Sequence, residues 1–90
     1  MFRILWEPNA FEQMQSLIHD NPALKAGFVF TLESLTMELG EHADTWGEAR
    51  LGNYRLGYVG FISILVRIDE ENRLVRIVSV QPEPRTRWRR

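Results

Sequence analysis

The sequence predicts an α+β domain: an N-terminal strand, a helical hairpin, then a three-stranded antiparallel meander, with the helices packed on one face of the sheet. Three observations predict it. Residues 50–81 alternate apolar with polar side chains and are broken by turn formers at Gly60 and at Asp69-Glu70-Glu71-Asn72. Two segments, each opened by a proline, repeat apolar residues at three- and four-residue intervals. Phe2 to Trp6 alternates like a short strand. One block of helices and one of strands suits helices segregated onto one side of an antiparallel sheet.

In the first strand Phe2, Ile4 and Trp6 share a face, and Arg3 and Leu5 share the other. Glu7-Pro8-Asn9 ends it and opens a helix, because Pro8 fits a first-turn position where its missing N–H costs nothing. Phe11, Met14, Leu17 and Ile18 form that helix's apolar stripe. Asn21 is expected to cap the second helix, with Pro22 in its first turn. Its stripe is Leu24, Phe28, Leu32, Leu35 and Leu39, and Gly40 is expected to end it. Gly27 inside that helix costs about 1 kcal/mol relative to alanine, which points to close contact with the first helix.

Register decides which side chains of the meander share a face. Pairing Ile68 with Arg73, with Asn72 left-handed in the turn, sets Val66 opposite Val75 and Ile64 opposite Ile77. Ile62, Ile64, Val66, Ile68, Val75 and Ile77 then face the core, leaving Ser63, Leu65, Arg67, Leu74, Arg76, Val78 and Val80 outside. A three-residue connection through Val59-Gly60-Phe61 puts Tyr54, Leu56 and Tyr58 on the core face. A two-residue connection buries Arg55 and Gly57 instead, and apolar content favours the longer one. On that reading Arg55, Arg67 and Arg76 stand together outside.

Ninety residues make one domain, expected over residues 1–82, followed by a basic Arg-rich C-terminal tail over residues 83–90. The chain has no cysteine, so neither a disulfide nor a thiolate metal site exists. It carries no signal-peptide pattern and no long apolar run, so the expected compartment is the cytoplasm, with no membrane partner. Charge is uneven. Without Arg85, Arg87, Arg89 and Arg90 there are 7 basic against 12 acidic residues, a body of −5 with a tail of +4. Such a body repels phosphates unless its arginines cluster. In the tail Arg85, Arg87, Trp88 and Arg89 can stack and pair with nucleic acid or an acidic partner; the plainer reading is a solubilising terminus.

Arg50, Arg55, Arg67 and Arg76 are the candidate contacts to phosphate or to a partner's carboxylates, with Leu65, Leu74 and Val78 as apolar partner surface. Glu48 and Arg50 suit a structural ion pair better than a base and a phosphate clamp. Glu38, Glu41, His42 and Asp44 read as a solvated acidic segment rather than a metal site, and no metal or cofactor is expected. His19 lies near a helix end, where an imidazolium suits the dipole. Trp46 either covers the sheet edge or anchors a partner.

This order of elements resembles the RelE/ParE superfamily, the toxin component of bacterial type II toxin–antitoxin (plasmid-stabilisation) pairs. The resemblance covers residues 2–82. It rests on WEPNAFEQMQSLI, the Asn21-Pro22 helix start, Trp46-Gly47-Glu48-Ala49-Arg50, and the meander YRLGYVGFISILVRIDEENRLVRIVSV. It implies a working surface on the sheet face away from the helices and neutralisation by an antitoxin wrapped over it. The implied targets are the ribosome with its mRNA, or gyrase. Members that cleave mRNA are strongly basic and use arginines, lysines, a His or Glu, and often a Tyr or His after the last strand. Arg50 and Arg55 match basic positions of that pattern, whereas Gly57, Ser63 and Gln81-Pro82 stand where basic residues or a His are frequent. No general acid or base is identified, so catalytic residues stay unassigned. The leading expectation is a toxin that acts by macromolecular binding. The alternatives are an inactive relative serving as an interaction or homodimer module, and a ribosome-dependent mRNA endoribonuclease.

Overall fold

In the computed structural model, which describes residues 1–60 and 62–82, the polypeptide folds as an α+β sandwich. Strand β1 (Arg3–Trp6) leads into helix α1 (Pro8–Asp20), then a short 3₁₀ turn (Pro22–Leu24) and helix α2 (Lys25–His42). A second 3₁₀ turn (Ala43–Thr45) precedes β2 (Glu48–Ala49), β3 (Tyr54–Val59), β4 (Ile62–Asp69) and β5 (Leu74–Pro82). The sheet order is β1-β5-β4-β3-β2; β1 runs parallel to β5 and every other neighbour is antiparallel. The meander is thus widened by one strand at each edge. The sequence-predicted tail contacts Arg85, Arg87, Trp88 and Arg89 lie outside the described residues.

The core lies between the sheet and the helices. Ile62, Ile64, Val66, Ile68, Val75, Ile77 and Val80 are buried against Phe28, Leu35 and Leu39 of α2, with Phe2, Ala10 and Ala43 completing it. Alternation supplies this face, as period-2 side chains must. Pro8 takes the first turn of α1, while Asn21 closes that helix instead of capping the next: its Nδ2 donates to the Leu17 carbonyl at 3.0 Å. Gly40 does not end α2. It sits inside the helix with its carbonyl accepting from the Phe2 N–H at 2.8 Å, and tucks against the Phe2 carbonyl. Gly27 has open space where a Cβ would point, so it marks no contact with α1.

The hairpins differ from expectation in ways that move side chains. Val59 pairs with Ile62, leaving a two-residue connection through Gly60, whose φ of +61° is the left-handed geometry such a turn needs. Arg55 and Gly57 therefore stand on the helix side, opposite Val66 and Ile64, and Tyr54, Leu56 and Tyr58 stand on the open face. The apolar count misled because the missing apolar material comes from elsewhere. The Trp46 ring lies on Gly57, where any Cβ would overlap it.

In the second hairpin Asp69, not Ile68, is the last paired residue, opposite Leu74. Its carboxylate accepts from the Asn72 N–H at 3.1 Å and from Asn72 Nδ2 at 2.9 Å, and the Arg73 N–H closes the turn on the Glu70 carbonyl. Arg73, at φ +52°, takes the left-handed position expected of Asn72. The register is two residues longer than expected, which preserves the faces as far as Val66–Ile77. There a bulge sets Val78 and Ser79 opposite Leu65 and turns Val80 inward. Val80, expected outside, is core. Beyond Ile77, β5 has no β1 neighbour, and Gln13 Oε1 of α1 accepts the Val80 N–H at 2.8 Å.

Candidate functional site

The open face of the sheet is the broad surface that the fold leaves uncovered by helices. Its side chains fall into rows because registered residues on neighbouring strands stand about 5 Å apart. One row runs Leu5, Arg76, Arg67 and Tyr54 across β1, β5, β4 and β3. Arg50 extends it, since its N–H donates to the Tyr54 carbonyl at 2.8 Å. Three arginines therefore share a single line across the sheet, roughly 15 Å from Arg76 to Arg50. Arg76 and Arg67 are direct cross-strand partners. Like charges directly opposite each other destabilise a sheet.

The neighbouring acids leave that cationic line incompletely balanced. Arg76 Nη1 lies 3.8 Å from Glu7 Oε2, a loose contact, and Arg50 Nη1 lies 3.1 Å from Glu48 Oε1 with both groups well exposed. Among the described residues Arg67 has no ion-pair partner. Asp69 sits one rung further along β4, and its carboxyl is held below its ordinary value. The Asn72 side chain is the largest cause, the Asn72 backbone N–H the next, and Arg67 and Arg76 add to it. The direction of that shift makes Asp69 a weaker base, not a stronger one. Both histidines lie on α1 and α2, not on this face. The arrangement can hold an anion.

Next to the arginines, Leu65, Leu74 and Val78 are half-buried, Val78 being the unpaired residue of the bulge. Tyr54 and Tyr58 join them, Tyr58 being 55% exposed. Arg55, expected in this group, is on the opposite face. Its guanidinium donates from Nε to the Trp46 carbonyl and from Nη2 to the Gly47 carbonyl, so it pins the loop before β2. Of the four candidate arginines the structure brings together three.

A second open surface lies on the helical layer. Trp6, Phe11, Met14, Val29, Leu32 and Met37 line a shallow apolar trough of about 540 Å³, edged by Glu33 and Thr36. Reading one stripe per helix missed it. The available signal was that α2 carries Val29, Phe30 and Met37 in addition to the stripe that packs inward.

No family model and no curated protein matches the sequence. Solved structures do match the fold. A chain of the RelBE2 toxin–antitoxin complex from Mycobacterium tuberculosis superposes with a TM-score of 0.63 at 21% identity, covering 91% of this chain and 98% of that one. A chain of the chromosomal ParDE toxin–antitoxin system from P. aeruginosa gives 0.68 at 18% identity, covering 92% and 97%. The fold implied by the RelE/ParE resemblance is therefore the fold of this chain. Among the described residues no helix is long and apolar enough to cross a membrane.

Proposed function

We propose that this chain is the toxin component of a type II toxin–antitoxin pair and acts by binding a macromolecular target through the open face of its sheet. An antitoxin neutralises it by covering that face. The observation that carries this reading is the row of Arg76, Arg67 and Arg50 beside Tyr54. Two arginines in direct cross-strand register cost stability, and an anionic partner removes the cost. Half-buried Leu65 and Leu74 add apolar area for the antitoxin, and the trough on the helical layer gives it a second foothold. Binding is the mode of action this row supports, because its three guanidiniums suit holding an anionic group.

Inducing the chain alone in a bacterial host tests this. Growth arrest with intact transcripts is the expected result, and it is lost in an Arg67→Glu, Arg76→Glu double variant whose purified form melts as the parent does. Unimpaired growth in cells holding soluble, folded parent chain would overturn the toxin reading. Transcript cleavage abolished by the double variant would replace binding with ribonuclease action. Gyrase supercoiling and translation assays in extract then separate the two target classes.

A further inference from the structure

Helix α2 has a second stripe that its own fold does not use. Phe28, Leu32, Leu35 and Leu39 point inward, which is all that packing on a sheet requires. On the opposite side stand Gly27, Phe30, Ser34 and Met37, spaced i, i+3, i+7 and i+10, the spacing of a two-helix seam. Phe30 is 71% and Met37 66% exposed, the most exposed apolar side chains of the helical layer. Gly27 belongs to the same puzzle. It weakens the helix by about 1 kcal/mol relative to alanine, yet among the described residues nothing outside the helix's own backbone lies within 4 Å of the place of its missing Cβ.

The order along the stripe is small, large, small, large, and such an order is complementary to itself when reversed. We propose that α2 is the contact of a weak two-fold homodimer in which two copies of the helix pack antiparallel. Pairing about a two-fold axis beside residue 32 sets Phe30 over Ser34 of the second copy and Met37 over Gly27 of the second copy, each contact occurring twice. Every large side chain then meets a small one, the condition for interdigitated layers, and Gly27 lets the backbones approach. A parallel pair would stack Phe30 on Phe30 and leave Gly27 facing Gly27, so the pattern selects orientation. Glu33 of each copy lies beside the other across the axis, a like-charge contact on the rim that salt screens. The seam is one helix wide, short of the roughly 800 Å² per partner of a stable interface, so the dimer depends on concentration. The seam shares Met37 and Glu33 with the trough assigned to the antitoxin, so an antitoxin seated there competes with the dimer, but the dimer itself does not rest on the toxin reading.

Sedimentation velocity of the full chain from about 1 to about 300 μM tests it. The mass is expected to rise from 10.6 kDa toward twice that value, and further at high salt than at low. Gly27→Leu is the decisive variant. It fills the small position and weakens association at least tenfold, while its thermal melt rises, because leucine favours the helix and its Cβ enters open space among the described residues. Phe30→Ser does the same without the gain in melting temperature. With no native cysteine, Glu33→Cys forms an interchain disulfide under mild oxidation. A chain monomeric at the highest concentration overturns the proposal. So does association unchanged or strengthened in Gly27→Leu, which would mark nonspecific apolar sticking, and so does a dimer that salt dissociates, which would mark a charge-held contact elsewhere.

Discussion

The two faces of the sheet use arginine in opposite ways. On the helix side Arg55 spends its guanidinium on the carbonyls of Trp46 and Gly47, and so fixes the loop that lays the Trp46 ring over Gly57. On the open side Arg67 and Arg76 stand across from one another, Arg76 in a loose ion pair with Glu7 and both in the field of the Asp69 carboxylate. Both faces are built on the same β3 and β4 strands, and alternate residues of one strand serve different ends. The difference teaches that an arginine's role here follows from which side of the pleat the turn places it, and the tight turn at Gly60, which pairs Val59 with Ile62, decides that for all of β3.

The sharpest way to break the helix-side arrangement is Gly57→Val. Its Cβ would occupy the Trp46 ring position, so either the indole leaves or the strand moves. Overpacking joined to loss of a large buried contact costs about 3 kcal/mol, a fall in Tm of roughly 12–24 °C for a domain this size. The cause is checked by repeating the substitution in a Trp46→Ala background. If the ring is what valine strikes, the second substitution costs far less there, and the double-mutant cycle shows a coupling of more than 1 kcal/mol.

A smaller effect separates the arginines themselves. Arg55→Leu removes two donors from loop carbonyls and should lower stability by about 1–3 kcal/mol. Arg67→Leu, on the open face, should change it by no more than about 0.5 kcal/mol and can raise it, because it relieves the like-charge pair with Arg76. Thermal melts of the two variants side by side decide it. Equal losses would erase the contrast between the faces.

Much of this was legible in the residues, and the failures have a common origin. The strands, both helices and the buried set on β4 and β5 followed from periodicity, because burial selects apolar side chains every second or every three to four residues. Arg67 and Arg76 were found on the open face for the same reason. The face of Arg55 was not legible, since the apolar cover for β3 comes from Trp46, which no local pattern ties to Gly57. The inward turn of Val80 depends on a bulge whose freed N–H is taken by Gln13, 67 residues away in sequence. The turn at residues 70–73 was misread for a more local reason. Asp69 uses its side chain to hold Asn72, which makes it the end of the strand and passes the left-handed position to Arg73. Long-range contacts override local preference wherever a single side chain supplies what the local pattern lacks.

The smallest expected effect probes the electrostatics of the open face through Asp69. Its carboxyl is depressed below 3.8, first by the Asn72 side chain, then by the Asn72 N–H, and last by Arg67 and Arg76. A group whose folded value lies below its unfolded one stabilises the fold at pH values above the unfolded value and loses that contribution as pH falls through the folded one. The contribution of Asp69 is therefore complete at neutral pH and fades below about pH 4. Asp69→Asn should melt slightly lower than the parent at pH 7, and the gap should close as the solution is acidified. Titration of Asp69 by NMR in two further variants divides the causes. Asn72→Ala should return most of the depression, and Arg67→Leu only the part that added salt also removes. If instead Arg67→Leu returned most of it, the field of the arginine row would outweigh the turn. The open face would then hold its charge more tightly than its exposure suggests.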